Sequence, residues 1–103
     1  MKRRVVITGL GAVTPLGNTV KDTWEGICAG RSGIGKITKF DTTGYKTKIA
    51  GELKHFDPLN FVGKKELHRL DDFIVYYLAS AQMALDDAAL TIDNTIAERV
   101  GVI

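Results

Sequence analysis

The sequence has one cysteine, two histidines and no long apolar run, and these scarcities exclude several protein classes. The single thiol, Cys28, leaves no partner for an intrachain disulfide, and with so few histidines we expect no metal site. No apolar stretch approaches the roughly 20 residues that span a bilayer. Lys2–Arg4 is followed by only Val5–Ile7 before Thr8, too little for a signal peptide. We therefore expect a cytoplasmic protein with no membrane partner.

The composition indicates one soluble globular unit, or part of one. The chain has 103 residues, of which 45% are hydrophobic and 25% charged. The net charge of +2 is unevenly placed, because all but one of the 14 basic residues precede Leu70 while half of the 12 acidic residues follow Arg69. This asymmetry indicates either an electrostatic face for a charged partner or charges that even out in the fold.

The first half of the chain predicts a strand, a helix and a loop region. Residues 4–8 are rich in β-branched side chains and predict a buried strand. A helix is expected from the cap Thr19 to the stop at Gly30, with Val20, Trp24, Ile27 and Cys28 as its apolar stripe. Residues 31–48 indicate a loop with short extended pieces, and residues 48–53 a short strand.

The second half predicts a long helix and a final strand. Asp57–Pro58 is typical of a capped short turn. Residues 64–90 repeat apolar side chains at steps of three and four, which predicts one amphipathic helix. The stripe consists of Leu67, Leu70, Ile74, Tyr77, Leu78, Ala81, Ala84, Leu85 and Ala88.

Residues 99–103 predict a last strand. The order β-α-β-α-β favours an α/β fold with a parallel sheet. Because the last strand ends inside an apolar run, we expect a fragment of a longer protein.

Two motifs invite an enzymatic interpretation, and both are weak. Gly9–Gly11 follows a strand, as in dinucleotide-binding proteins, but the next helix begins only at Thr19 and the third glycine is missing. A turn that needs glycine for steric reasons explains this motif as well. Cys28 lies near a helix C-terminus, which disfavours a thiolate, so we expect a packed core thiol. We therefore predict no cofactor.

The start of the predicted long helix carries charges that are unfavourable for a helix N-terminus. Lys64 and Lys65 occupy its first turn, where cations oppose the helix dipole, and His68 and Arg69 follow. Lys65 and Arg69 are also a like-charge pair at four residues' spacing. Such a cluster suits an acidic partner or phosphate groups, although a solvated charged face would explain it too.

Several motifs together resemble one family of enzymes. The chain is similar along its whole length to β-ketoacyl-acyl carrier protein synthases of the type II class, with the type I class as the alternative. The similar segments are Arg3–Gly11, Pro15–Asn18, Gly30–Ile34, Ile37, Phe40–Asp41, Lys64–Glu66, Arg69, Asp71, Phe73 and Arg99–Ile103.

The resemblance implies a thiolase-like α/β fold in a homodimeric enzyme, with residues 1–103 as the first part of its N-terminal half. The implied reaction elongates fatty acyl chains by decarboxylative condensation of malonyl-acyl carrier protein with an acyl group held on a cysteine. The family's catalytic residues lie beyond this chain, so none is assigned, and neither Cys28 nor His68 matches them. The resemblance implies no nucleic-acid partner.

One functional surface carries over from the resemblance. Basic residues at the start of the family's long helix help to dock the acidic carrier protein, and Lys65 and Arg69 match them. Lys64 and His68 complete the predicted docking group, with His68 in place of the family's usual arginine, which weakens the charge near neutral pH. Two alternatives stay open at this point: a small nucleotide-binding reductase domain, and a stand-alone module that binds an acidic partner.

Overall fold

The computed structural model describes residues 2–103 as three helices, one small sheet and two short 3-10 turns. The helices are α1 (Val20–Cys28), α2 (Lys64–Leu67) and α3 (Asp72–Asp87). The strands are β1 (Ile34–Lys36) and β2 (Ile49–Gly51), and the 3-10 turns are Pro58–Asn60 and Ala97–Arg99. The molecule is elongated, 57 × 38 × 22 Å along its principal axes.

Helix α1 begins and ends where the sequence predicts. The Thr19 hydroxyl accepts a hydrogen bond from the Asp22 amide at 3.1 Å, which caps the first turn. Gly30 ends the helix in the left-handed region, at φ 64°, where glycine carries no steric penalty. The Thr19 cap and the Gly30 stop act within a few residues of the chain, so they do not depend on contacts with the rest of the fold.

The predicted burial of α1 is wrong. Trp24 is 64% exposed, Ile27 is 54% exposed and Cys28 is exposed, so Cys28 is not a packed core thiol. The helix instead turns Gly26 inward, where the Leu16 side chain comes within 3.2 Å of the place a Cβ would occupy. The apolar stripe exists in the sequence, but within residues 2–103 it faces solvent.

Strands β1 and β2 form an antiparallel pair. Ile34 lies opposite Gly51, and Lys36 lies opposite Ile49. The predicted short strand at residues 48–53 is confirmed, and the extended pieces expected in residues 31–48 include β1. The pairing is antiparallel because the connecting loop brings the chain straight back beside itself.

The predicted strands at residues 4–8 and 99–103 are not formed, so the parallel sheet is absent from residues 2–103. Val5 is 92% exposed, Ile7 82% and Val102 80%. A strand requires a neighbour that pairs with its backbone amides and carbonyls, and neither segment has one in the described chain. β-Branched composition alone does not supply that neighbour.

The predicted helix over residues 64–90 is two helices. Residues 68–71 separate α2 from α3, and Asp71 takes an extended conformation with ψ 152°. The like charges of Lys65 and Arg69 disfavour a continuous helix, while Asp71 and Asp72 favour a new helix N-terminus. Just upstream, the predicted Asp57–Pro58 turn is confirmed, since the Asp57 carboxylate caps the Leu59 amide at 3.0 Å.

The core lies along α3, but not on the stripe expected from the sequence. Val75 is 1% exposed and Ala79 0%, and neither belongs to that stripe. Tyr77 and Leu78, which do belong to it, are 51% and 40% exposed. The buried face of α3 is shifted by about one residue from the predicted face. The segments that pack on the helix determine which face is buried, and the apolar pattern of the helix does not.

The glycines of Gly9–Gly11 allow the N-terminal segment to cross α3 at close range. A Cβ at Gly9 would overlap the Ala84 carbonyl oxygen, and one at Gly11 would overlap that of Ser80. Between them, the Leu10 amide donates to the Asp87 carboxylate at 2.9 Å. The glycines are therefore explained by backbone-to-helix contact.

Candidate functional site

The four predicted docking residues lie together where α2 leads into α3. Lys64 and Lys65 are in α2, His68 is its C-terminal cap, and Arg69 lies in the link to α3. All four side chains are exposed. We call this group of four residues the basic corner.

The backbone of the basic corner is held by its own hydrogen bonds and by two apolar anchors. The Arg69 amide donates to the Glu66 carbonyl at 2.8 Å, and the Leu67 amide to that of Gly63 at 3.0 Å. Leu67 and Leu70 are half-buried. The corner is therefore attached to the core while its cations point to solvent.

The cations of the basic corner are not neutralised within residues 2–103. The ion pairs of the described chain are Lys21 with Glu25 at 4.0 Å and Lys39 with Asp72 at 2.6 Å. The one acidic residue of α2, Glu66, turns its carboxylate back toward Gly63. The corner can therefore offer its positive charge to a partner.

A second polar cluster lies beside the corner, at the start of α3. The Lys39 ammonium donates to the Asp72 carboxylate at 2.6 Å and to the Tyr76 hydroxyl at 3.2 Å. The hydrogen bond to Asp72, with that to Tyr76 second, raises the pKa of Lys39 above its usual range. Sequence reasoning missed this cluster, because nothing in the pattern links residues 33 positions apart.

The remaining candidate residues lie on separate elements of the described chain. Cys28 lies at the C-terminal end of α1 and His68 at the C-terminal end of α2, on separate elements. His55 has a left-handed backbone, φ 56°, and lines a polar pocket with Arg31, Lys54 and Asn18. The Gly9–Gly11 backbone packs on α3, so it is not open to a pyrophosphate as the dinucleotide interpretation requires.

Comparison with known families identifies the chain. A family model described as "Beta-ketoacyl synthase, N-terminal domain" matches residues 2–103. The chain belongs to the β-ketoacyl synthase family. This assignment confirms the resemblance read from the motifs between Arg3 and Ile103.

Relatives in this family share nearly the whole chain. The chain is 45% identical to "3-oxoacyl-[acyl-carrier-protein] synthase 2" of Synechocystis sp., over 99% of its length and 24% of that protein's. It is 48% identical to the protein of the same name from Coxiella burnetii, over 98% of its length and 24% of that protein's. The Staphylococcus aureus protein of this name is 48% identical over 97% of the chain and 24% of that protein. The chain thus spans about a quarter of the length of these relatives.

A solved ketosynthase structure supports the fold. The chain "The ishigamide ketosynthase/chain length factor" matches with a TM-score of 0.80 and 40% identity, over 88% of this chain and 23% of that one. The arrangement of α1, the hairpin and α3 is therefore that of part of a ketosynthase. Within residues 2–103, no helix is long and apolar enough to cross a membrane.

Proposed function

We propose that this chain supplies the N-terminal part of a cytoplasmic, homodimeric condensing enzyme that elongates fatty acyl chains. The reaction is a decarboxylative Claisen condensation of malonyl-acyl carrier protein with an enzyme-bound acyl thioester. The observation that carries the proposal is the 45% identity over 99% of the chain to a 3-oxoacyl-[acyl-carrier-protein] synthase 2. The enzyme contains residues 1–103 as the first portion of its thiolase-like N-terminal half, where residues 4–8 and 99–103 become paired strands.

Residues 1–103 contribute no catalytic group to this reaction. Condensation needs a thiolate nucleophile, which a helix N-terminus stabilises, together with an oxyanion hole and histidines. Cys28 lies at a helix C-terminus, where the dipole opposes an anion, and the structure puts no histidine on its helix. The 103-residue chain alone is therefore expected to have no condensing activity.

The part that this chain plays in the enzyme is to dock the acyl carrier protein through the basic corner. Lys64, Lys65, His68 and Arg69 are exposed and lie on one short stretch that two leucines anchor to the core. Exposed cations without internal partners attract an acidic protein and orient it during encounter. We expect the corner to affect recognition of the carrier protein and to leave the chemical step unchanged.

The test is charge reversal in the full-length enzyme. The double substitution Lys65→Glu/Arg69→Glu removes two attractive charges and adds two repulsive ones, each worth about 0.2–1 kcal/mol at an exposed site. The KM for acyl carrier protein substrates should rise about tenfold or more, while the kcat/KM for a small acyl thioester stays within about twofold.

The matched control is Lys21→Glu, which reverses one exposed lysine on α1, away from the corner. It should leave both substrates nearly unaffected. Equal losses with carrier-bound and small thioesters in the Lys65/Arg69 variant would contradict docking at this corner.

A further inference from the structure

Lys39 is held in place by the hairpin before its side chain reaches α3. The Thr38 amide donates to both oxygens of the Glu52 carboxylate at 3.1 Å, and the Lys39 amide donates to one of them at 3.3 Å. Glu52 directly follows β2. The backbone that carries Lys39 is therefore tied to the sheet.

The Lys39 ammonium is bound by the first two turns of α3. It lies 2.6 Å from the Asp72 carboxylate, 3.2 Å from the Tyr76 hydroxyl and 5.7 Å from the centre of the Tyr76 ring. Tyr76 in turn packs edge-on against Phe56, with ring centres 5.3 Å apart. These contacts give the ammonium one defined location.

The charge of Asp72 has two opposing effects: it stabilises the start of α3, and it disfavours an acidic partner at the basic corner. As the first residue of α3 it favours the helix, because a carboxylate at a helix N-terminus is stabilised by the dipole. It also follows Arg69 by three residues, so their Cα atoms are at most about 11 Å apart. That is close to the screening length of about 10 Å at 0.1 M salt, so an unpaired Asp72 would repel an acidic protein at the basic corner.

We propose that Lys39 is a specificity-determining residue of the docking surface, which neutralises Asp72 and so lowers the negative charge that an acidic carrier protein meets beside the basic corner. The inference rests on the proposed function, since it assigns a partner to the same corner. The inference adds Lys39 to the docking surface. The family resemblance at the basic corner does not indicate this residue, because Lys39 belongs to the loop between β1 and β2.

The test is a charge cycle in the full-length enzyme at low salt, with purified acyl carrier protein as the probe. Lys39→Met leaves Asp72 unpaired, so the Kd for the carrier protein should rise about threefold at low salt and less at 0.5 M salt, where screening is strong. Asp72→Asn should not weaken binding. The double variant should return to within about 1.5-fold of the wild-type Kd, because the carboxylate at position 72 that Lys39 would neutralise is gone.

The matched control is Lys48→Met in the same loop. Within residues 2–103 the Lys48 ammonium donates only to the Thr42 carbonyl, at 3.2 Å, and pairs with no carboxylate. It should leave the Kd unchanged. The kcat/KM for carrier-bound thioesters, divided by that for small thioesters, should fall in Lys39→Met and recover in the double variant. A loss of structure in Lys39→Met would not be reversed by the second substitution.

The outcomes separate this inference from the proposed function. A wild-type Kd in Lys39→Met, or a double variant as weak as Lys39→Met, would overturn the inference while the Lys65/Arg69 result stands. If the Lys65/Arg69 variant also binds normally, the docking function fails and the inference fails with it.

Discussion

Helices α1 and α3 both carry an apolar stripe in the sequence, but of the two only α3 has fully buried apolar side chains. These are Val75, 1% exposed, and Ala79, 0% exposed, which lie beside the stripe and not on it. In α1, Trp24 and Ile27 are more than half exposed, and the small residue Gly26 is the one turned inward. Amphipathic spacing therefore predicts that a helix has an apolar face, while the neighbouring segments decide whether that face is covered.

The largest expected effect tests the close packing on α3. Gly11→Ala should destabilise the chain by about 3 kcal/mol, because the new Cβ would overlap the Ser80 carbonyl and backbone cannot easily move away. Gly35→Ala is the matched control, because a Cβ there meets nothing within 4 Å. It should be neutral or stabilising by about 0.5 kcal/mol.

Chemical denaturation measures both glycine variants. Similar midpoints for Gly11→Ala and Gly35→Ala would mean that the N-terminal segment does not lie on α3 as closely as the structure shows. Close packing of that segment would then not explain why α3 is more buried than α1.

A smaller effect compares the two helices directly through near-isosteric substitutions that add a hydroxyl. Val75→Thr places a hydroxyl in the core of α3 and should cost about 1–2 kcal/mol. Cys28→Ser changes an exposed position of α1 and should cost less than about 0.5 kcal/mol. Thermal unfolding of the 103-residue chain gives both values. Equal costs would show that the outer face of α1 is covered after all.

The smallest effect is a pH dependence in the hairpin that covers part of α3. The hydrogen bond from the Thr38 amide, with further ones from the Thr38 hydroxyl and the Lys39 amide, lowers the pKa of Glu52 below its usual range. A lowered folded-state pKa means that the stabilisation is present above the unfolded pKa and is lost as pH falls through the folded one. Amide protection at Thr38 and Lys39 should therefore be lost only as pH falls below the ordinary titration range of a glutamate carboxyl.

The Thr23 amide of α1 serves as the internal reference, because it donates to the Thr19 carbonyl and depends on no carboxylate. Its protection should stay constant over the same range. Glu52→Gln should abolish the acid-dependent change in the hairpin. A pH response that survives this substitution would assign the effect to another group.

Family membership was predictable from the sequence, and so were most local features. The Thr19 cap, the Gly30 stop, the Asp57–Pro58 turn and the short strand near Ile49 are all confirmed. Each depends on hydrogen bonds or backbone angles within a few residues. The members of the basic corner were also found, since they are neighbours in the chain; their role in docking stays a prediction.

Most of the errors concern contacts between distant segments. The strands at residues 4–8 and 99–103 lack the partners that their composition implied, and the buried face of α3 differs from its stripe. The predicted long helix is an exception, because its error is local: the like charges of Lys65 and Arg69 disfavour a continuous helix, and the acidic residues that follow favour a new helix start. The pairing of Lys39 with Asp72 could not be read from a pattern, because the two residues belong to different elements.

The sequence by itself determined which family the chain belongs to, where helix α1 starts and stops, and which basic residues are adjacent at the corner, because these depend on residue identity and short-range geometry. Only the tertiary structure decided that the stripe of α1 is exposed, that Val75 and Ala79 form the core, and that Asp72 is neutralised. Burial and charge pairing are properties of two surfaces in contact, and a periodic pattern describes only one of them.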